Sequence, residues 1–235
     1  MIEKVKLPLE IVIRPDYASW VRSYDQYCAA AKALDVVGDR WTLLIVRELL
    51  IRQPCRYTDL QYGLPGIATN LLADRLRQLE DQGVLTREAA PPPVATTVFR
   101  LTPRGEALQP VLAALGEWGV PLLQEGSDQA VFRSHWLALP LRGLRDHAPE
   151  RAPVTIEVHT ADQPMLVRTV DGEVVVEPGT DPDADATITG PPPVVVELFL
   201  GRIDLKAAQA RGLVLEGDAT ALTRITPQPD LNPVA

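Results

Sequence analysis

The residues best suited to chemistry are few, and their spacing argues against catalysis. His135, His147 and His159 stand 12 residues apart, and no two of them share a helical turn as a zinc-binding pair would. Asp181, Asp183 and Asp185 imitate the start of a calcium loop. Ala186 then replaces the required glycine and Pro192 the closing glutamate, so that reading fails. The chain holds no Gly-x-Ser-x-Gly, no Walker A sequence and no dinucleotide fingerprint. Cys28 and Cys55 are too few for a disulfide framework. No enzyme activity, metal or cofactor is expected. The remaining polar pattern is that of a binding protein, with Thr69, Asn70, Arg75, Arg77, Arg87 and Arg100 as its candidate contacts.

The elements that would position them follow from periodicity. Residues 24–37 read as a helix stopped by Gly38, and residues 40–51 as a helix capped by Asp39 and apolar on nearly every side. Thr58 with Gln61 matches a capping box for a short third helix. Thr69 is expected to cap a helix over 69–82, in which Leu72, Leu76 and Leu79 form one buried stripe. Residues 84–88 and 98–101 read as a hairpin around the stiff tip Pro91-Pro92-Pro93. Thr102-Pro103 starts a further helix by cap and first-turn proline. Three helices, a hairpin and a helix make a winged helix-turn-helix, whose partner is duplex DNA. A helix fits the major groove, and its first residues reach base edges. Thr69, Asn70 and Ala73 are therefore the expected readers, and Arg75, Arg77, Arg87 and Arg100 the expected phosphate contacts. Leu108, Val111, Leu112, Leu115, Trp118 and Leu122 recur at helical spacing outside this compact core, which predicts a dimer interface.

The 235 residues suit two domains. The net charge of −8 is the wrong sign for a simple nucleic-acid binder. It is unevenly spread, however: residues 1–125 sum to −1 and residues 126–235 to −7. We expect an arm over 1–22, a DNA-binding and dimerisation domain over 23–125, a linker at Gly126-Ser127-Asp128, a second domain over 130–226 and a tail over 227–235. The second domain turns to period two at Val154, Ile156 and Val158, and Asp171-Gly172 marks a tight hairpin. Helices are expected over 193–200, 203–210 and 219–225, giving an α+β domain with a mostly antiparallel sheet. No apolar run reaches the ~20 residues of a membrane span, and we expect a soluble, cytoplasmic protein.

Two resemblances sharpen this reading. Residues 24–123 resemble HxlR-type regulators, relatives of the MarR group. The landmarks are Cys28, Gly38-Asp39-Arg40-Trp41-Thr42, Arg56-Tyr57-Thr58-Asp59-Leu60, Leu64-Pro65-Gly66-Ile67, Leu71 to Glu80, Pro92-Pro93, Leu101-Thr102-Pro103-Arg104-Gly105 and Trp118-Gly119. The resemblance implies a homodimeric transcription factor on a near-palindromic operator. The wing tip departs from it, because Val94-Ala95-Thr96-Thr97 brings no basic side chain. Residues 130–226 resemble the sterol-carrier-protein-2-like (SCP2-like) domain, through Asp183 to Gly190, Val194 to Gly201 and Gly212 to Asp218. That resemblance implies an apolar cavity, for which Trp136, Leu139, Met165, Val195, Leu198 and Phe199 are the lining candidates, and an apolar or acyl-type ligand.

The resulting expectation is a homodimeric regulator modulated by a small apolar ligand. One alternative is redox sensing through Cys28, which stands where some relatives carry a sensor, with Lys32 one turn on to depress its pKa. The plainer reading of Cys28 is a small packing residue at a helix start. The other alternative is a lipid carrier whose winged helix serves only dimerisation.

Overall fold

The computed structural model describes residues 23–90, 96–125 and 130–227. The expected arm, the proline wing tip, the linker Gly126-Ser127-Asp128 and residues 228–235 lie outside them. The N-terminal unit runs α1 (Ala29–Val37), α2 (Thr42–Arg52), β1 (Cys55–Arg56), α3 (Tyr57–Gly63), α4 (Thr69–Asp81), β2 (Leu85–Ala89), β3 (Thr97–Leu101), α5 (Pro103–Glu106) and α6 (Gln109–Gly119). A 3₁₀ turn over Val120–Glu125 extends α6. The three strands form an antiparallel sheet in the order β1-β3-β2.

Several helix starts differ from the sequence reading. The first helix begins at Ala29 instead of Tyr24. Asp35 accepts bonds from the Tyr24 amide and the Ser23 hydroxyl, both at 2.9 Å, and so folds the entering chain back across α1. Asp39 does not cap α2. Trp41 holds the cap position at a positive φ of 80°, while the Asp39 carboxylate pairs with Arg75. The Thr58–Gln61 box does not form either. The third helix starts two residues earlier, at Tyr57 with Arg56 as its cap, and Asp59 accepts from the Arg56 amide at 2.8 Å. Thr69 is the first residue inside α4, with Ala68 at its cap. Thr102 does cap α5, accepting from Gly105 at 3.2 Å. The long helix expected after it breaks at Ala107-Leu108 into α5 and α6.

The C-terminal unit opens with a 3₁₀ turn (Ser134–Leu137) leading into α7 (Ala138–Leu141). It continues through β4 (Thr155–His159), β5 (Met165–Val170), β6 (Glu173–Pro178), β7 (Ala186–Thr189), α8 (Pro192–Phe199), α9 (Leu205–Ala210), β8 (Val214–Gly217) and α10 (Thr220–Ile225). The sheet order is β6-β5-β4-β7-β8. Every pairing is antiparallel except β4 with β7. The β5–β6 hairpin turns on Asp171 and Gly172 at φ 50° and 79°. Both positions need positive φ, and the Asp-Gly sequence supplies it.

The buried apolar side chains fall into two cores. One joins Ile45, Leu49, Leu60, Leu72, Leu76, Leu79 and Phe99 of the N-terminal unit. The other joins Ile156, Val158, Val167, Ile188, Val195 and Phe199 of the C-terminal sheet and its helices.

Candidate nucleic-acid interface and unit junction

The fourth helix buries Leu72, Leu76 and Leu79 and turns Thr69 and Asn70 to solvent, with Ala73 half-buried between them. The Tyr57 hydroxyl donates to the Thr69 carbonyl at 2.6 Å, which ties the start of α4 to α3. The four arginines behave differently from one another. Arg77 is exposed and, among the described residues, reaches only its helical neighbour Asp74, at 3.0 Å. Arg75 is largely covered, bonded to Asp39 and to Gln78. On the hairpin Arg87 lies opposite Phe99 and Arg100 opposite Thr86. Alternation therefore puts the two arginines on opposite faces of the sheet. Arg87 shares the core-facing side and pairs with Glu80 of α4 at 3.3 Å. Arg100 stands on the outer face and makes no ion pair among the described residues.

The α6 stripe is also divided. Leu112 is buried in its own core and Leu108 packs against that core. Val111, Leu115, Trp118 and Leu122 remain uncovered, Trp118 at 71% exposure.

The two cysteines differ as sharply. Cys28 is exposed at the start of α1, and the Ala31 and Ala30 amides hold its pKa below that of a free thiol. Lys32 does not contribute, because its ammonium turns to Asp35 and Ser23. Cys55 is buried, its thiol pushed up to about 12 by desolvation, and it donates to the Arg52 carbonyl at 3.3 Å.

The densest polar cluster lies between the two units. Glu48 of α2 is fully buried. Its Oε1 accepts from Arg47 at 2.8 Å and from the Trp136 indole at 2.8 Å. Its Oε2 accepts from Arg52 at 3.1 Å and meets His135 Nε2 at 2.8 Å. Burial pushes the Glu48 pKa up, but the bond from His135 and the charge of Arg47 outweigh it, so the carboxyl stays below its ordinary range. His135 donates here from Nε2, and its buried Nδ1 has no hydrogen-bond partner among the described residues. The Arg47 guanidinium lies over the Trp136 ring at 4.2 Å.

Three further contacts cross the same junction. Tyr62 of α3 donates to Asp162, Arg133 stacks on Tyr62 at 4.2 Å, and Arg142 donates to the Leu50 carbonyl at 3.1 Å. Gly63 is required by close approach. A Cβ there would lie 1.9 Å from Glu48 Oε2.

Residues 36–127 match the model of the HxlR-like helix-turn-helix family. The HTH-type transcriptional regulator YvaP of Bacillus subtilis is 34% identical over 87 residues, which cover 37% of this chain and 80% of YvaP. The chain belongs to the HxlR-like helix-turn-helix family. A Synechocystis relative, the HTH-type regulator sll1512, is 36% identical over 43% of this chain and 73% of its own length. The HTH-type regulator YodB of Bacillus subtilis is 30% identical over 40% of this chain and 83% of its own. The solved reduced form of YodB aligns with 43% of this chain and 100% of its own at 28% identity, with a TM-score of 0.38.

Behind its HxlR-like unit the chain matches the SCP-2 sterol transfer family over residues 148–227. The residues expected to line a cavity there divide between two places. Met165, Val195, Leu198 and Phe199 form the packed core between sheet and helices. Trp136 and Leu139 sit at the junction with the HxlR-like unit instead, Trp136 on Glu48 and Leu139 in the wall of a hollow shared with Leu50 and Ile51. A second hollow, of about 410 Å³, opens between Thr160, Asp162 and Thr189.

Sequence reasoning missed Glu48, Arg47, Arg52 and His135. The available signal was a charged triplet inside a helix otherwise apolar on nearly every side. Its partners stand 87 and 88 residues away, and no local pattern points to them. No helix among the described residues is long and apolar enough to cross a membrane.

Proposed function

We propose that this HxlR-like chain is a homodimeric DNA-binding transcriptional regulator. In this reading 23–125 is the DNA-binding and dimerisation domain and 130–226 a ligand-responsive SCP2-like domain. The observation that carries it is the state of α4: its leucine stripe is buried, while Thr69 and Asn70 stay exposed with the C-terminal unit in place. A helix held this way by one face can lay the other into the major groove. Asn70 can bond an adenine edge, and Thr69 and Ala73 can touch thymine methyls. Arg77 and Arg100 are the freer phosphate contacts; Arg75 and Arg87 reach phosphate only by leaving Asp39 and Glu80. The uncovered Val111, Leu115, Trp118 and Leu122 fit a second copy, and two-fold pairing would set two α4 helices about one DNA turn apart, ~34 Å. A ligand acts as a switch only if it binds one dimer arrangement better than another.

Gel shifts on the chain's own upstream DNA test this reading across a salt series. Asn70→Ala should lose discrimination at one base position by about 1–3 kcal/mol. Arg77→Ala should weaken all sequences alike and flatten the salt slope by about one unit. Folded protein that shows no sequence preference at any salt overturns the regulator reading in favour of a carrier.

One observation supports thiol sensing as a second reading: Cys28 is exposed and its pKa is lowered at a helix start. If that reading holds, diamide releases the wild-type protein from DNA and leaves Cys28→Ser bound. Equal responses of the two proteins remove it.

A further inference from the structure

The structure assigns a ligand site at the junction of the two units, between the end of α2 and the α7–β6 face. This deepens the regulator reading and rests on it for its consequence. The hollow measures about 270 Å³, near the small end of ligand pockets, which span roughly 300–1,000 Å³. Leu50 and Ile51 of the HxlR-like unit form one side, and Leu139 and Val174 of the SCP2-like unit face them. A molecule lodged here touches both units at once. One lodged inside the C-terminal core would touch a single unit.

Charge selects the ligand. Arg142, Arg145 and Glu173 line the hollow. Arg145 pairs with Glu173 at 3.4 Å. Arg142 donates to the Leu50 carbonyl at 3.1 Å and has no carboxylate partner among the described residues. The hollow therefore carries one uncompensated positive charge, in the half of the chain whose net charge is −7. A guanidinium with free donors beside the Leu50, Ile51, Leu139 and Val174 side chains, in an otherwise charge-paired lining, fits a monoanionic amphiphile. Its carboxylate would take the remaining Arg142 donors, and its chain would lie along Leu139, Val174 and Ile51. At about 30 Å³ per water-sized group the space takes on the order of nine heavy atoms, the size of a medium-chain carboxylate. Such a ligand would fix the position of α2, and with it the α3–α4 unit packed on α2, relative to the SCP2-like unit.

Calorimetric titration of the full chain with sodium octanoate, octylamine and octanol tests the site without DNA. Octanoate should bind once per chain and about tenfold or more tighter than octylamine, the scale of one charge-assisted hydrogen bond. Arg142→Gln should erase that preference and Arg142→Lys should keep it. Ala138→Phe should fill the hollow and abolish binding, with circular dichroism and melting temperature confirming that each variant folds. Equal binding of the three head groups overturns the site, as does octanoate binding unchanged in both Arg142→Gln and Ala138→Phe. Gel shifts with saturating octanoate separate the two readings. Binding that leaves operator affinity unchanged supports the site and removes its regulatory role. Absent binding with intact operator recognition overturns the site alone.

Discussion

Glu48 places one negative charge between Arg47 and Arg52 in a space closed to water, and His135 and Trp136 complete its bonding from the other unit. Removing one partner of such a cluster leaves buried charge without compensation, a loss of about 3–5 kcal/mol. Glu48→Ala should lower stability by that much in urea unfolding, and a loss under about 1 kcal/mol would show that water reaches the cluster. Gly63→Ala tests the same geometry from the other side. The carboxylate that a new methyl would strike is held by several donors and has nowhere to move, so about 1–3 kcal/mol should be lost. Two carboxylates link the residue scale to pH. Asp146 is gripped by Arg224 at 2.6 and 2.7 Å, and that pair holds its pKa at about 2. Burial raises the pKa of Asp162, but the Ser134 amide and the Tyr62 hydroxyl outweigh it and hold the carboxyl well below its ordinary range. A carboxylate depressed on folding stabilises fully above its unfolded pKa of ~3.9, and the contribution fades as pH falls through the folded value. Both contributions are therefore complete at neutral pH and lost in acid. For Asp146 the window runs from about pH 4 to about 2, and the loss is on the order of 1–2 kcal/mol after screening. Asp146→Asn should remove that part of the acid dependence in unfolding curves taken between these limits.

At the scale of elements, the wing hairpin and α6 each present two faces with different work. Strand alternation sends Arg87 to the α4 side and Arg100 to the outer face. If the outer face meets phosphate, Arg100→Ala should reduce the salt slope of DNA binding by about one unit and Arg87→Ala should not. Equal effects would mean that Arg87 leaves Glu80 in the complex. The sixth helix buries Leu112 and exposes Val111, Leu115, Trp118 and Leu122. Trp118→Glu should shift the protein to monomer in sedimentation and weaken operator binding by at least about tenfold, since a monomer holds a single half-site. An unchanged sedimentation coefficient would count against the proposed α6 dimer.

Across the whole molecule, two separate apolar cores meet through a polar junction. Separating the units would strip Glu48 of two donors and expose Trp136 and the Arg142–Leu50 contact. Calorimetry should therefore show one cooperative unfolding transition, and Glu48→Ala should split it into two. Two well-spaced transitions in the wild type would show that the junction adds little to either unit. Under the proposed function the same arrangement lets an acidic chain present a DNA-facing helix. The surplus negative charge belongs to residues 126–235, and Thr69 and Asn70 of the near-neutral half are exposed.

Much of this was legible before any coordinates. The order of helices and wing, the Leu72-Leu76-Leu79 stripe, the Thr102 cap and the Asp171-Gly172 turn follow from periodicity and turn chemistry, which act over a few residues. Tertiary structure decided what local pattern cannot carry. Asp39 left its expected cap for Arg75, Leu112 went to its own core, and Trp136 joined a carboxylate 88 residues earlier in the chain. A cap, a packing face or a buried counter-charge is chosen by which groups arrive together once water is excluded. Only the assembled fold brings Glu48 and His135 within 2.8 Å.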